Sequence, residues 1–95
     1  MTKTYILDFL QSNKEVFKRD FGLTEIGLFG SYAKDSATQD SDIDIVVQME
    51  DKNYFKLIEF ENYLKKSFDK KVDVGFLSSM KSYIKETISE DIIYV

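Results

Sequence analysis

Apolar residues recur at helical spacing in three parts of the chain, where side chains three and four positions apart share one face. The first stripe, with one polar interruption, comprises Ile6, Phe9, Leu10, Asn13, Val16 and Phe17. The second comprises Tyr54, Leu57, Ile58, Phe60, Leu64 and Phe68. The third comprises Met80, Tyr83, Ile84, Thr87 and Ile88. The pattern predicts three amphipathic helices, the first of them continuous and ending between Asp20 and Gly22, since glycine suits the left-handed position after a helix.

Three apolar segments between these helices have the length and alternation of strands. They span residues 23–29, 42–47 and 72–76. Gly30 and Ser31 follow the first strand, so we expect a strand-to-helix turn and a short helix to about Ala37, capped by one of these two residues. Residues 92–95 form a short apolar tail. The order of elements predicts a single α/β domain over residues 1–95, with helices packed on a small sheet.

The residue types present exclude several kinds of chemistry. The 95 residues contain no His and no Cys, so the usual zinc ligands and the Ser-His-Asp and Cys-His catalytic groups are missing. Any metal ion must therefore bind to oxygen, and any catalysis must use carboxylates and metal ions.

The charge distribution bears on possible partners and location. Thirteen basic and 17 acidic residues give a net charge of −4, which disfavours direct binding of nucleic acid. No apolar run approaches the ~20 residues of a membrane span, and the first ten residues lack the features of a signal peptide. We expect a cytoplasmic protein without a membrane segment.

Asp42 and Asp44 are two apart on the second predicted strand, so both carboxylates point to the same side of the sheet. Such a pair can bind a divalent cation, or two cations as in phosphoryl transfer. A solvated strand face is the simpler interpretation of an isolated Asp-x-Asp.

Two further features can be combined with this pair. A glycine at a strand-to-helix turn leaves free N–H groups and lets a phosphate approach closely, and Ser31 adds a hydroxyl, although Gly-Ser is also an ordinary turn. Asp73 lies on the third predicted strand and is either a third carboxylate of the site or a polar residue at a sheet edge.

Three spaced motifs together resemble the minimal nucleotidyltransferase family of the DNA polymerase β superfamily. They are Leu28-Phe29-Gly30-Ser31, then after ten residues Asp42-Ile43-Asp44, and finally Val72-Asp73-Val74. The resemblance implies a polymerase β-like fold with a small mixed sheet. It also implies that Asp42, Asp44 and Asp73 are catalytic and bind Mg²⁺ or Mn²⁺, while Gly30, Ser31 and Lys34 bind the triphosphate of ATP.

Members of this family act as antitoxins that transfer AMP from ATP to a tyrosine of a HEPN toxin, an all-helical ribonuclease. The resemblance therefore implies a HEPN-type partner, and it leaves a homodimer and a hetero-oligomer open as assemblies. The family usually has Arg-Gly where this chain has Lys34-Asp35. Lys34 thus replaces a planar guanidinium with an ammonium, and Asp35 adds a negative charge. Two hypotheses remain open: an active protein adenylyltransferase, and a catalytically weak module that neutralises its partner by occlusion through its C-terminal helix and tail.

Overall fold

The computed structural model describes residues 1–79 and 91–95 of the chain. The helices are α1 (Lys3–Ser12), α2 (Lys14–Phe21), α3 (Gly30–Ala33) and α4 (Tyr54–Phe68), and a 3₁₀ turn spans Leu77–Ser79. The strands are β1 (Leu23–Phe29), β2 (Ile43–Met49), β3 (Val72–Phe76) and β4 (Ile93–Tyr94). The predicted helix at 80–88 lies outside the described residues.

The N-terminal segment forms two helices, so the prediction of one continuous helix was wrong. Asn13 separates α1 from α2, and its side-chain amide donates a hydrogen bond of 2.8 Å to the Phe9 carbonyl. An Asn side chain that bonds to backbone in this way competes with the helical ladder. The apolar stripe survives the break, because Ile6, Leu10 and Phe17 are all fully buried. As predicted, α2 ends before Gly22, which has a φ of 72°.

Four strands form one mixed sheet in the order β3-β2-β1-β4. β1 pairs antiparallel with β2 and with β4, whereas β2 pairs parallel with β3. A parallel pair needs a crossover connection, and α4 supplies it between β2 and β3. The predicted α/β class, with a small mixed sheet and helices packed on it, is confirmed.

The two faces of the sheet have different roles. Ile43, Ile45 and Val47 of β2 point into a core that includes the fully buried rings of Phe17 and Phe60. Side chains alternate along a strand, so Asp44 lies on the opposite face. The described helices thus pack on the face of Ile43, Ile45 and Val47, and Asp44 lies on the other.

The C-terminal segment is part of the sheet, which the sequence pattern did not predict. Ile93 pairs with Leu28 and Tyr94 with Gly27, and the Val95 N–H donates to the Ile26 carbonyl. Ile93 is partly buried, whereas Tyr94 is 48% exposed. The tail is therefore a paired strand rather than a free apolar segment for a partner.

Within residues 1–79 and 91–95, no helix has the length and apolar character needed to cross a bilayer.

Candidate active site

Gly30 is the first residue of α3 and brings the end of β1 against Asp44. Its φ is 76°, in the left-handed region that favours glycine. A Cβ on Gly30 would collide with the Asp44 carboxylate, at 3.0 Å from its Cγ atom. The sequence suggested that glycine makes room here for a phosphate, and the structure adds that it makes room for a carboxylate.

Ser31 follows Gly30, and neither residue caps the helix, contrary to the prediction that one of them does. The N-cap of α3 is Phe29, and the helix ends at Ala33 rather than near Ala37. Among the described residues, no hydrogen bond involves the Ser31 hydroxyl, whereas the Ser31 carbonyl accepts from the Ser36 N–H at 2.9 Å. The first N–H groups of a helix have no partner within that helix, so a ligand at the start of α3 would meet these groups and the Ser31 hydroxyl.

The three predicted carboxylates lie at the same end of adjacent strands. Asp44 is directly opposite Asp73 in the parallel pairing of β2 with β3, and Asp42 immediately precedes β2. Neighbouring strands are ~4.8 Å apart, so the two cross-strand carboxylates are close neighbours. Asp42 and Asp44 are half-buried, whereas Asp73 is exposed.

This arrangement raises the pKa of Asp44 above the ordinary value of an aspartate. Burial is the largest cause, followed by repulsion from Asp73 and then from Asp42. Burial disfavours the charged form, and like charges nearby do the same. A cation at this place would remove the repulsion.

The donor set suits a hard cation, although the side chains are not already closed around one. Mg²⁺ and Mn²⁺ prefer carboxylate oxygens, which Asp42, Asp44 and Asp73 supply. Within the described part of the chain, no three acidic side chains are close enough together to hold one ion as they stand. An ion bound by all three therefore requires side-chain rotation, which is least restricted for the exposed Asp73.

We expect Asp44→Asn to raise the melting temperature of the metal-free protein at pH 7. Because folding raises the Asp44 pKa, the stability linked to this group is fully present below the unfolded pKa of about 3.9. It is lost as the pH rises through the raised folded pKa. The variant lacks this loss, so its gain in melting temperature should be larger at pH 7 than at pH 3, with a chelator present. An equal gain at both pH values would contradict the shift, and Asp51→Asn serves as the exposed control.

Lys34 and Asp35 follow α3 and are both engaged in ion pairs. The Lys34 ammonium lies 3.5 Å from the Asp91 carboxylate, and the Lys3 ammonium lies 2.7 Å from the Asp35 carboxylate. Asp35 has a φ of 58°, a left-handed conformation that Asp tolerates better than most residues. The negative charge added at this position is therefore balanced by Lys3, a residue that sequence reasoning did not single out.

Comparison with known sequences identifies the family. A model described as a nucleotidyltransferase domain matches residues 10–95. Protein adenylyltransferase MntA of Thermococcus cleftensis is 38% identical over 96 residues, covering 100% of this chain and 97% of the relative. A Methanocaldococcus jannaschii protein named as a candidate protein adenylyltransferase is 41% identical over 96 residues, covering 99% of this chain and 98% of the relative.

Solved structures agree in fold. A candidate minimal nucleotidyltransferase superposes with a TM-score of 0.83 at 20% identity, covering 98% of this chain and 95% of that one. A tri-AMPylated Shewanella oneidensis HEPN toxin in complex with MNT antitoxin superposes with a TM-score of 0.61 at 26% identity, covering 86% of this chain and 66% of that one. With its three motifs at the edge of one mixed sheet, the chain belongs to the nucleotidyltransferase domain family.

Proposed function

We propose that this chain is a Mg²⁺-dependent antitoxin that transfers AMP from ATP to a tyrosine of a HEPN-type toxin. The observation that carries the proposal is the pairing of Asp44 with Asp73 beside the Gly30 turn. The arrangement supports a cation held by the carboxylates beside a phosphate held by the N–H groups at the start of α3. The relatives named as protein adenylyltransferases, at 38% and 41% identity over almost the whole chain, support the same reaction.

The proposed site residues form two groups, one for the cation and one for the phosphates. Asp42 and Asp44 would hold Mg²⁺, or Mn²⁺ in its place, with Asp73 as a third ligand or as the proton acceptor, and the bound cation would supply charge neutralisation for the triphosphate. The backbone of Gly30 and the Ser31 hydroxyl would bind phosphate oxygens. Lys34 would also bind a phosphate oxygen. To do so, its ammonium would leave the partly exposed carboxylate of Asp91, which lies 3.5 Å away.

The reaction forms one bond and breaks one bond at the α-phosphorus of ATP. The hydroxyl oxygen of the partner's tyrosine bonds to this phosphorus, and the bond to the bridging oxygen breaks, so that pyrophosphate leaves. This chain has no histidine, so among its own side chains a carboxylate is the candidate acceptor of the tyrosine proton, with water as the alternative. Asp73 is the exposed carboxylate beside the site and is therefore the candidate acceptor.

A helical HEPN partner is expected because one structural neighbour is a complex of an AMPylated HEPN toxin with its antitoxin. Another, at 29% identity and a TM-score of 0.63, is a toxin–antitoxin structure with AMP-PNP. Both support an assembly of two kinds of chain, and the AMPylated toxin supports the partner as the acceptor of AMP.

Transfer from labelled ATP onto the co-expressed partner tests the proposal. We expect label from α-labelled ATP to appear on the partner and label from γ-labelled ATP to remain free, with intact mass confirming one or more AMP groups. The Asp42→Asn/Asp44→Asn double variant should transfer nothing, while Asp51→Asn, altered in an exposed loop, should transfer normally. Absence of α-label on the partner would overturn the proposal.

A module that acts by occlusion is the second candidate, and exposed apolar side chains on α4 favour it. Tyr54, Phe55 and Ile58 are 60%, 73% and 57% exposed, which is unusual for side chains of this size. Occlusion predicts that the double variant neutralises the toxin as well as the unmutated chain does. Adenylylation predicts that it does not.

Magnesium is expected to stabilise the free protein. Bound cation removes the repulsion among Asp42, Asp44 and Asp73, and binding to the folded state alone stabilises by about 2.7 kcal/mol at 100 times the dissociation constant. The melting temperature should rise through a Mg²⁺ titration in the unmutated chain and stay constant in the Asp42→Asn/Asp44→Asn variant. Equal responses of the two proteins would place the cation elsewhere.

A further inference from the structure

The strand that carries Asp73 has few restraints of its own. β3 has five residues and lies at the end of the described sheet, where β2 is its neighbour. The Asp73 side chain is exposed, so packing does not determine its position. Its position relative to Asp44 therefore depends on the backbone of β3.

Glu61 of α4 contacts this backbone directly. Its Oε2 atom accepts a hydrogen bond of 2.9 Å from the N–H of Val74, the residue after Asp73. Its Oε1 atom lies 3.1 Å from the Lys65 ammonium, one helical turn further along α4. The Glu61 side chain is 26% exposed, so both contacts are partly shielded from water.

The hydrogen bond to Glu61 uses the Val74 N–H, a backbone group that does not pair with β2. N–H groups along an edge strand point alternately to the neighbouring strand and away from it, and the outward ones need another acceptor or water. A carboxylate acceptor makes a shorter and stronger hydrogen bond than a neutral one. Glu61 thus holds the middle of β3 from the side opposite β2.

We propose that Glu61 is a positioning residue, which keeps Asp73 in register opposite Asp44 by accepting the Val74 N–H. Lys65 assists by fixing the rotamer of the Glu61 side chain. The functional part of this inference rests on the proposed adenylyl transfer, because it assigns Asp73 to the reacting site. The structural part concerns the β3 backbone alone and can be tested without ATP.

Four variants separate the charge, the hydrogen bond and the ion pair. Glu61→Ala removes the acceptor, whereas Glu61→Gln keeps an acceptor oxygen without the charge. Lys65→Met removes only the ion pair. Glu59→Ala is the matched control, since Glu59 is an exposed acidic residue on the same helix.

Amide hydrogen exchange of the free protein measures how well the Val74 N–H of β3 is held by its hydrogen bond. Loss of a hydrogen bond to a charged group should speed exchange of the Val74 N–H about 10- to 100-fold in Glu61→Ala. Glu61→Gln and Lys65→Met should give smaller increases, and Glu59→Ala none. Unchanged exchange in Glu61→Ala would overturn the inference.

Steady-state transfer reads the consequence for the site. In Glu61→Ala, kcat for AMP transfer to the co-purified partner should fall about tenfold or more, with the KM for ATP nearly constant, because only the Asp73 side of the site has moved. Glu61→Gln should restore most of the rate. Faster exchange with unchanged kcat would refute the positioning role.

Binding of Mn²⁺ alone, monitored by electron paramagnetic resonance, distinguishes failure of the proposed adenylyl transfer from failure of the Glu61 positioning role. If the unmutated chain transfers no AMP, the proposed function fails. The positioning role then stands if Glu61→Ala weakens Mn²⁺ binding and Glu59→Ala does not. It falls if both variants bind Mn²⁺ like the unmutated chain.

Discussion

Gly30→Ala is expected to abolish most AMP transfer while leaving the protein folded. The new Cβ would collide with the Asp44 carboxylate and displace it from its place beside Asp73. A misplacement of ~1 Å in a reacting site can cost about 100-fold in rate, so transfer should fall by at least this factor. Alanine at a φ of 76° also adds strain of about 1–2 kcal/mol, which should lower the melting temperature by several degrees.

Gly22→Ala is the matched control because it separates strain from collision. Gly22 has a φ of 72°, but a Cβ there meets no atom within 4 Å. Both variants should therefore lose similar stability, and only Gly30→Ala should lose transfer in single-turnover assays at saturating ATP. Equal transfer by the two variants would mean that the contact of Gly30 with Asp44 does not matter for the reaction.

The elements with strong local patterns were predictable from the sequence. The α4 stripe has apolar residues at helical spacing and a polar break before it, and β2 alternates Asp and Ile before an apolar pair. Both elements occur where expected, since helix and strand periodicity depend only on nearby residues. By contrast, β4 has two residues, and its strand conformation depends on pairing with Leu28 and Gly27, far away in the chain.

The break at Asn13 shows a different limit of predicting helices from the sequence. The apolar stripe continues across it, so periodicity alone indicates one helix. Asn13 leaves the helical conformation, with a φ of −106° and a ψ of 7°, and its side chain adds a bond to the Phe9 carbonyl, yet the same residues stay buried. Polar residues that bond to their own backbone are visible in a sequence, but their choice between helix and break depends on packing.

The placement of the candidate site residues was predictable from the sequence, but their supporting contacts were not. Motif spacing predicted that the Gly-Ser turn and the carboxylates lie near one another, as they do. It did not reveal that Gly30 makes room for Asp44, because that contact joins the start of α3 to β2. Nor did it reveal the bond of Glu61 to Val74 or that of Lys3 to Asp35, which span 13 and 32 residues of chain. Such contacts depend on tertiary structure and leave no local pattern.

Asp73 is well suited to a test because its replacement should not disturb the fold. The side chain is exposed, and its charge contributes to the raised pKa of Asp44. Asp73→Asn should therefore leave the free energy of unfolding of the metal-free protein unchanged or slightly raised at pH 7. Any loss of activity in this variant then cannot be attributed to unfolding.

We expect Asp73→Asn to lower the rate of AMP transfer about 10²- to 10⁴-fold, the usual cost of removing a positioned proton acceptor. ATP affinity should change much less, because the nucleotide is held by the Gly30 turn, Ser31 and a cation on Asp42 and Asp44. Single-turnover transfer to the co-purified partner at saturating ATP measures the rate, and calorimetry measures the affinity. Asp51→Asn, which removes an equally exposed carboxylate from a loop at the other end of β2, should leave both unchanged. Near-normal transfer by Asp73→Asn would mean that Asp73 is only a polar residue at the sheet edge and that water accepts the proton. Parallel losses of rate and affinity would instead assign Asp73 to binding of the cation that holds ATP.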